Sequence, residues 1–230
     1  MSNKNLKFIS EDSSPIKVLE MHTLKKNLIM SLYSIVAPLI LIVIVILAIG
    51  DSSLFILINQ DLANPLLDFT CAYLLPALFL ILYIATLLSL YRTKNPRLIA
   101  VGATSLLNGP LSYAMGSLIK LLIMRPRPLD TLSSVRIVGI WHTSSFSFPS
   151  TTTMLVFGLT LPIFFDNSRR GALLLALSYL IGFSVIYTGF HFPLDVAAGI
   201  LLSLAITLFT VKMEGVLSRA FQKLGFQAEK

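Results

Sequence analysis

Apolar residues in this chain fall into long runs separated by short polar turns. Six runs stand out, at about 28–49, 68–90, 98–123, 150–165, 172–190 and 194–211. They measure 16–26 residues, close to the roughly 20 a helix needs to cross a hydrocarbon layer of ~30 Å, and the fourth is the shortest. The pattern predicts an all-α fold, a bundle of six transmembrane helices. The third run carries Asn108, Pro110, Ser112 and Gly116. Small and polar residues on one face of a span predict that this helix packs inside the bundle.

The flanks read differently. Residues 1–27 are polar and of mixed charge, with no small-residue cleavage site after them, and are expected to form a cytoplasmic segment with a short interfacial helix over 16–28. Residues 54–58 are expected to lie at the membrane interface. Residues 212–230 set Val216, Phe221, Leu224 and Phe226 among charges, the pattern of a basic amphipathic helix on a membrane surface. The domain plan is therefore 1–27, a membrane domain over 28–211, and a tail over 212–230.

Composition supports this plan. Hydrophobic residues make up 55% of the chain and charged residues only 13%, against about 25% charged in a soluble domain. The net charge is +7. In a soluble protein that balance would suggest nucleic acid; here it writes topology. Fourteen Lys and Arg lie in the tails and the turns at 91–97 and 166–171, and four lie on the opposite side. The positive-inside rule then places both termini in the cytoplasm and the other face outward, with the cell membrane as the expected location. The single cysteine, Cys71, excludes a disulfide framework or a cysteine-rich metal site.

Three stretches on the outward face carry candidate chemistry. The first holds Lys120 and Arg127, seven residues apart at the end of the third run, followed by Pro128. If the helix persists that far, both project to one side, although Pro126 and Pro128 are expected to end it. A phosphate would compensate them: arginine as a bidentate clamp, lysine as a point charge. Snorkelling cations at a span end explain the same residues. The second is Ser150, Thr151 and Thr152, where Ser150 is placed to cap a helix whose free N–H groups attract an anion. Ordinary capping explains it equally. The third is His191 with Asp195, a histidine and a carboxylate four residues apart at the junction of two apolar runs. A carboxylate on one imidazole nitrogen leaves the other free as nucleophile or base. A histidine satisfied at an interface is the plainer reading, and one His with one Asp is a thin ligand set for a metal.

Order and spacing make the three together more specific than any alone. They resemble the phosphatidic-acid phosphatase type 2 superfamily of membrane lipid phosphatases, whose pattern is Lys-x6-Arg-Pro, then Pro-Ser-Gly-His, then Ser-Arg-x5-His-x3-Asp. Lys120, Arg127 and Pro128 match the first motif, Pro149 and Ser150 the start of the second, and Ser184, His191 and Asp195 the third. The resemblance covers about 28–211. It implies that His191 attacks phosphorus to give a phosphohistidine, that Asp195 orients it, and that Lys120, Arg127 and the region of Ser150, Thr151 and Thr152 hold phosphoryl oxygens. It implies no metal and no other cofactor.

Two positions depart from the pattern. The family's general-acid histidine is Thr152 here, and its clamping arginine is Val185. Loss of a general acid is worth about 10²–10⁴ in rate. A diphosphate can expel a phosphate, a weakly basic leaving group, without an acid; an alkoxide cannot. Catalysis is thus expected to favour a polyprenyl diphosphate over phosphatidate. His142 is a candidate replacement acid, and Arg125 and Arg136 are candidate replacement clamps. Two other classes compete: a catalytically impaired relative that binds lipid phosphate headgroups as carrier, sensor or partner subunit, and a channel or transporter. The absence of an internal repeat and of paired broken helices weighs against the last.

Overall fold

The computed structural model describes residues 15–139 and 146–226. Those residues form helices and their connections, with no strand among them. Helix α1 spans Pro15–Ile49 without a break. The separate interfacial helix expected over 16–28 is thus continuous with the first span, because no glycine or proline lies between Pro15 and Pro38 to interrupt it. Helix α2, Asp51–Ile56, runs into a π turn at Leu57–Asp61. This stretch turns inward, burying Leu54, Phe55, Ile58 and Asn59.

Helix α3, Pro65–Phe69, a π turn at Thr70–Leu74 and α4, Leu75–Arg92, make one rod. The rod starts at Pro65, three residues ahead of the sequence boundary, because Asn64 caps it: its Oδ1 accepts the Leu67 N–H at 2.9 Å. Helix α5 is Pro96–Ile123, α6 is the single turn Pro128–Thr131, α7 is Thr151–Asp166, α8 is Ser168–Tyr187 and α9 is Pro193–Thr210. A short amphipathic α10, Glu214–Lys223, packs against α5.

Five of these segments are long and apolar enough to cross a bilayer; α7, at 16 residues, is a shorter apolar helix. The protein is an integral membrane protein. Leu106, Leu107, Leu121 and Leu122 stand exposed on α5, where hydrocarbon would cover them.

Helix α7 is the hub, packed on α5, α8 and α9. Small residues let the backbones meet. A Cβ at Gly158 would stand 3.0 Å from Gly109 Cα, and one at Gly199 2.9 Å from the Ser150 carbonyl. Burial of polar atoms here requires partners, and Asn108 supplies them. Its Nδ2 donates to the Gly158 carbonyl and to Thr207 Oγ1, both at 2.8 Å, while Thr210 Oγ1 donates to its Oδ1 at 2.8 Å. One side chain thereby joins α5, α7 and α9. Asn108, Ser112 and Gly116 are buried, as the sequence predicts for this span; Pro110 faces out.

Candidate active site

Three chain ends meet at one end of the bundle. The first is the end of α5. Met124 takes a left-handed conformation, φ 50°, and Pro126 follows, so the helix stops before Arg127. Arg127 is extended rather than two helical turns beyond Lys120. It nevertheless stays within electrostatic reach of Lys120, and both lie near Asp195. Lys120 Nζ donates to the carbonyls of Phe146 (2.8 Å) and Ser147 (3.1 Å), and Arg127 Nη1 donates to the Phe190 carbonyl at 2.5 Å. Both cations are buried.

The second is the start of α7. Ser150 is the N-cap, accepting the Thr153 N–H and hydroxyl on its Oγ. Its own backbone N–H donates to the Asp195 carbonyl at 3.0 Å. Thr151 is buried, and Thr152 is exposed toward a cavity.

The third is the turn from α8 to α9. Gly189 sits at φ 91°, and a Cβ there would stand 2.3 Å from the Arg136 carbonyl oxygen. Only glycine fits both the backbone and the space. The turn folds back so that the N–H groups of Phe190 and His191 both donate to the Val185 carbonyl at 3.1 Å. His191 and Asp195 are buried, with Nδ1 of the ring 3.6 Å from Asp195 Oδ2, just beyond hydrogen-bond length. Asp195 Oδ2 also accepts the Phe192 N–H at 2.9 Å. Burial pushes the His191 pKa down to about 4; Asp195 acts against this, and Lys120 and Arg127 add to it. The ring is therefore neutral at ordinary pH, with Nε2 as its second nitrogen.

A cavity of about 590 Å³ opens on these groups. His191, Arg127, Thr151 and Thr152 line its polar end, and Phe79, Leu80, Leu155, Leu159 and Ile181 line its apolar length. Val185 also lines it. No group of three or more His, Cys, Asp or Glu among the described residues is arranged to hold a metal ion.

The two candidate replacement clamps are each held by carboxylates. Arg136 Nη2 reaches both oxygens of Asp68, at 2.8 and 2.9 Å, and its Nη1 donates to the Asn59 carbonyl at 2.9 Å. Tyr187 donates its hydroxyl to the same Asp68 at 2.6 Å. Arg125 donates to Asp195 Oδ1 at 2.7 Å and to Asp51 Oδ2 at 2.5 Å. His142 lies outside the described residues. Sequence reasoning missed Asp51, Asp68 and Asn59 as partners. The available signal was the rarity of acidic residues beside apolar runs, which marks a residue without naming its partner.

A buried His–Asp pair, flanked by buried cations and opening on an apolar cavity in a helical membrane bundle, defines an integral membrane protein built to handle an anionic amphiphile. Residues 97–219 match the model of the PAP2 superfamily, and the chain belongs to it. It is 33% identical to a protein named bacitracin transport permease protein BcrC from Bacillus licheniformis, over 66% of this chain and 71% of that one. It is 26% identical to undecaprenyl-diphosphatase BcrC of Bacillus subtilis strain 168, over 64% and 73%. The crystal structure of Aquifex aeolicus LpxE superposes with a TM-score of 0.50 at 24% identity, covering 69% of this chain and 93% of that one, a likeness of fold.

Proposed function

We propose that the protein is a lipid phosphatase whose preferred substrate is a polyprenyl diphosphate. The observation that carries the reading is the neutral, buried His191 beside Asp195 at the polar end of the cavity. The prenyl chain lies along the apolar length, and the diphosphate meets Arg127, Lys120 and the start of α7. His191 Nε2 attacks the terminal phosphorus. The bond from that phosphorus to the bridging oxygen breaks, and the lipid monophosphate leaves with the electron pair. Water then cleaves the phosphohistidine, releasing inorganic phosphate and returning the nitrogen lone pair. Asp195 holds the ring and stabilises its positive charge.

Thr152 stands at the cavity without a proton of useful acidity, and Val185 brings no charge. A diphosphate tolerates both, since its leaving group needs no acid; the relative named as a diphosphatase supports this choice. With α7 counted as a short sixth span, the positive-inside rule puts both termini in the cytoplasm and the site at the outer leaflet of the cell membrane.

The test is phosphate release in detergent from farnesyl diphosphate and phosphatidate side by side, without added metal, with His191→Ala as control. Release from the diphosphate that vanishes in the variant is expected. The second reading, a headgroup-binding relative without catalysis, rests on Thr152 and Val185. It prevails if neither lipid is hydrolysed while farnesyl diphosphate still binds and Lys120→Ala weakens that binding.

A further inference from the structure

We propose that Arg125 is a positioning residue for the His191 site, and that Asp51, at the end of the first span, holds Arg125 in place. The inference rests on the catalytic reading of His191 above.

The Arg125 guanidinium is held on three sides. Nη1 meets Asp195 Oδ1 at 2.7 Å, Nη2 meets Asp51 Oδ2 at 2.5 Å, and the group lies 4.2 Å from the centre of the Phe192 ring. Asp51 is fixed in turn, because its Oδ1 accepts the Leu194 N–H at 2.9 Å. Phe55, one helical turn beyond Asp51, packs its ring 5.5 Å from that of Phe192. The α1–α2 junction therefore grips both sides of the turn that carries His191.

The two oxygens of Asp195 divide their work. Oδ1 takes Arg125, and Oδ2 takes the Phe192 N–H and faces His191 Nδ1. A carboxylate with both oxygens engaged cannot rotate away from the imidazole. Arg125 also offsets part of the Asp195 charge, which weakens the pull of that carboxylate on a proton at the imidazole. Arg125 lies inside the first motif but outside its matched positions, and Asp51 lies outside residues 97–219 altogether.

Among the described residues, the charged groups that act on His191 are Asp195 from α9, Lys120 from α5 and Arg127 from the segment after α5, with Arg125 from that segment bonded to Asp195. Asp51 reaches the ring only through Arg125. Cys71 and Tyr113 line the same cavity, while α7 and α8 present hydroxyls.

The test measures phosphate release from farnesyl diphosphate against pH for the full-length protein and for Arg125→Gln, Asp51→Asn, the double variant and His191→Ala. Arg125→Gln is expected to lower kcat by about 10–100-fold, to leave KM within about threefold, and to move the acid limb of the rate profile to higher pH. Asp51→Asn is expected to lower kcat less and to leave the limb where it was or below, because Arg125 then belongs wholly to Asp195. The double variant is expected to be no worse than Arg125→Gln. An unmoved limb in Arg125→Gln, or losses that multiply in the double variant, overturns the proposal. If Arg125→Gln does not fold, as judged by thermal midpoint in detergent, Arg125→Lys replaces it: a point charge that cannot span both carboxylates must still slow turnover. Full activity in His191→Ala would instead sink the catalytic reading; a dead His191→Ala with a normal Arg125→Gln sinks this inference alone.

Discussion

The backbone N–H of Ser150 donates to the carbonyl of Asp195 at 3.0 Å, tying the start of α7 to the start of α9. Because of that bond, Thr152 and His191 face one cavity though they are 39 positions apart in the chain. Restoring an acid at this spot tests the leaving-group argument. Thr152→His is expected to raise phosphatidate hydrolysis by up to about 10² while changing diphosphate hydrolysis little. Parallel release assays read the ratio, and an unchanged ratio would remove the argument.

The acidity of His191 sets the low-pH behaviour. Burial lowers its pKa from 6.5 to about 4. A protonated ring has no lone pair to attack with, and the lowered value keeps the ring neutral further into acid. Activity on farnesyl diphosphate is therefore expected to hold as pH falls through 6.5 and to be lost as it falls through about 4. A fall centred at 6.5 would show that the ring is solvated in the working enzyme.

Gly189 is the position where the site is least forgiving. Gly189→Ala puts a methyl group 2.3 Å from the Arg136 carbonyl, on a backbone at φ 91°. The Arg136 backbone is fastened by its N–H to Asn59 Oδ1 (2.9 Å), and its carbonyl by Asn59 Nδ2 (2.8 Å), so it cannot easily yield. A loss of about 1–3 kcal/mol is expected from the strain alone, together with most of the activity. Thermal midpoints in detergent and turnover measured on the same sample check both.

Asn108 tests the bundle apart from the site. Asn108→Leu removes three hydrogen bonds joining α5, α7 and α9 and leaves the Gly158 carbonyl without that donor. Interhelical bonds in membranes are worth about 0.6 kcal/mol on average, so a loss of about 2 kcal/mol is expected, with KM little changed. Stability equal to the parent would mean that these bonds contribute nothing net.

Much of this was legible in the chain. Hydropathy alone marks the spans, because a helix is the only way for a single run to satisfy its backbone in hydrocarbon. The local spacings Lys120 to Arg127 and His191 to Asp195 mark the candidate site, since short spacings survive folding. The helix does not persist to Arg127, as the two prolines there predict: α5 ends at Ile123, and proximity to Lys120 comes from the way the following segment packs.

The partners of the other cations were not legible. Arg125 and Arg136 look alike in sequence, two arginines in one polar connection with nothing to rank them. Tertiary structure assigns Arg125 to Asp51 and Asp195, and Arg136 to Asp68. Those pairings span 74, 70 and 68 positions. No periodicity encodes such distances; they are set by which helix ends the packing of small residues brings together. The cavity has the same origin, since its walls come from several helices and its polar end from the three chain ends. The sequence by itself determined that this is a helical membrane protein and which residues are the candidates for phosphate chemistry. Packing decided which charges neutralise one another, because an ion pair depends on distance in space, not on order along the chain.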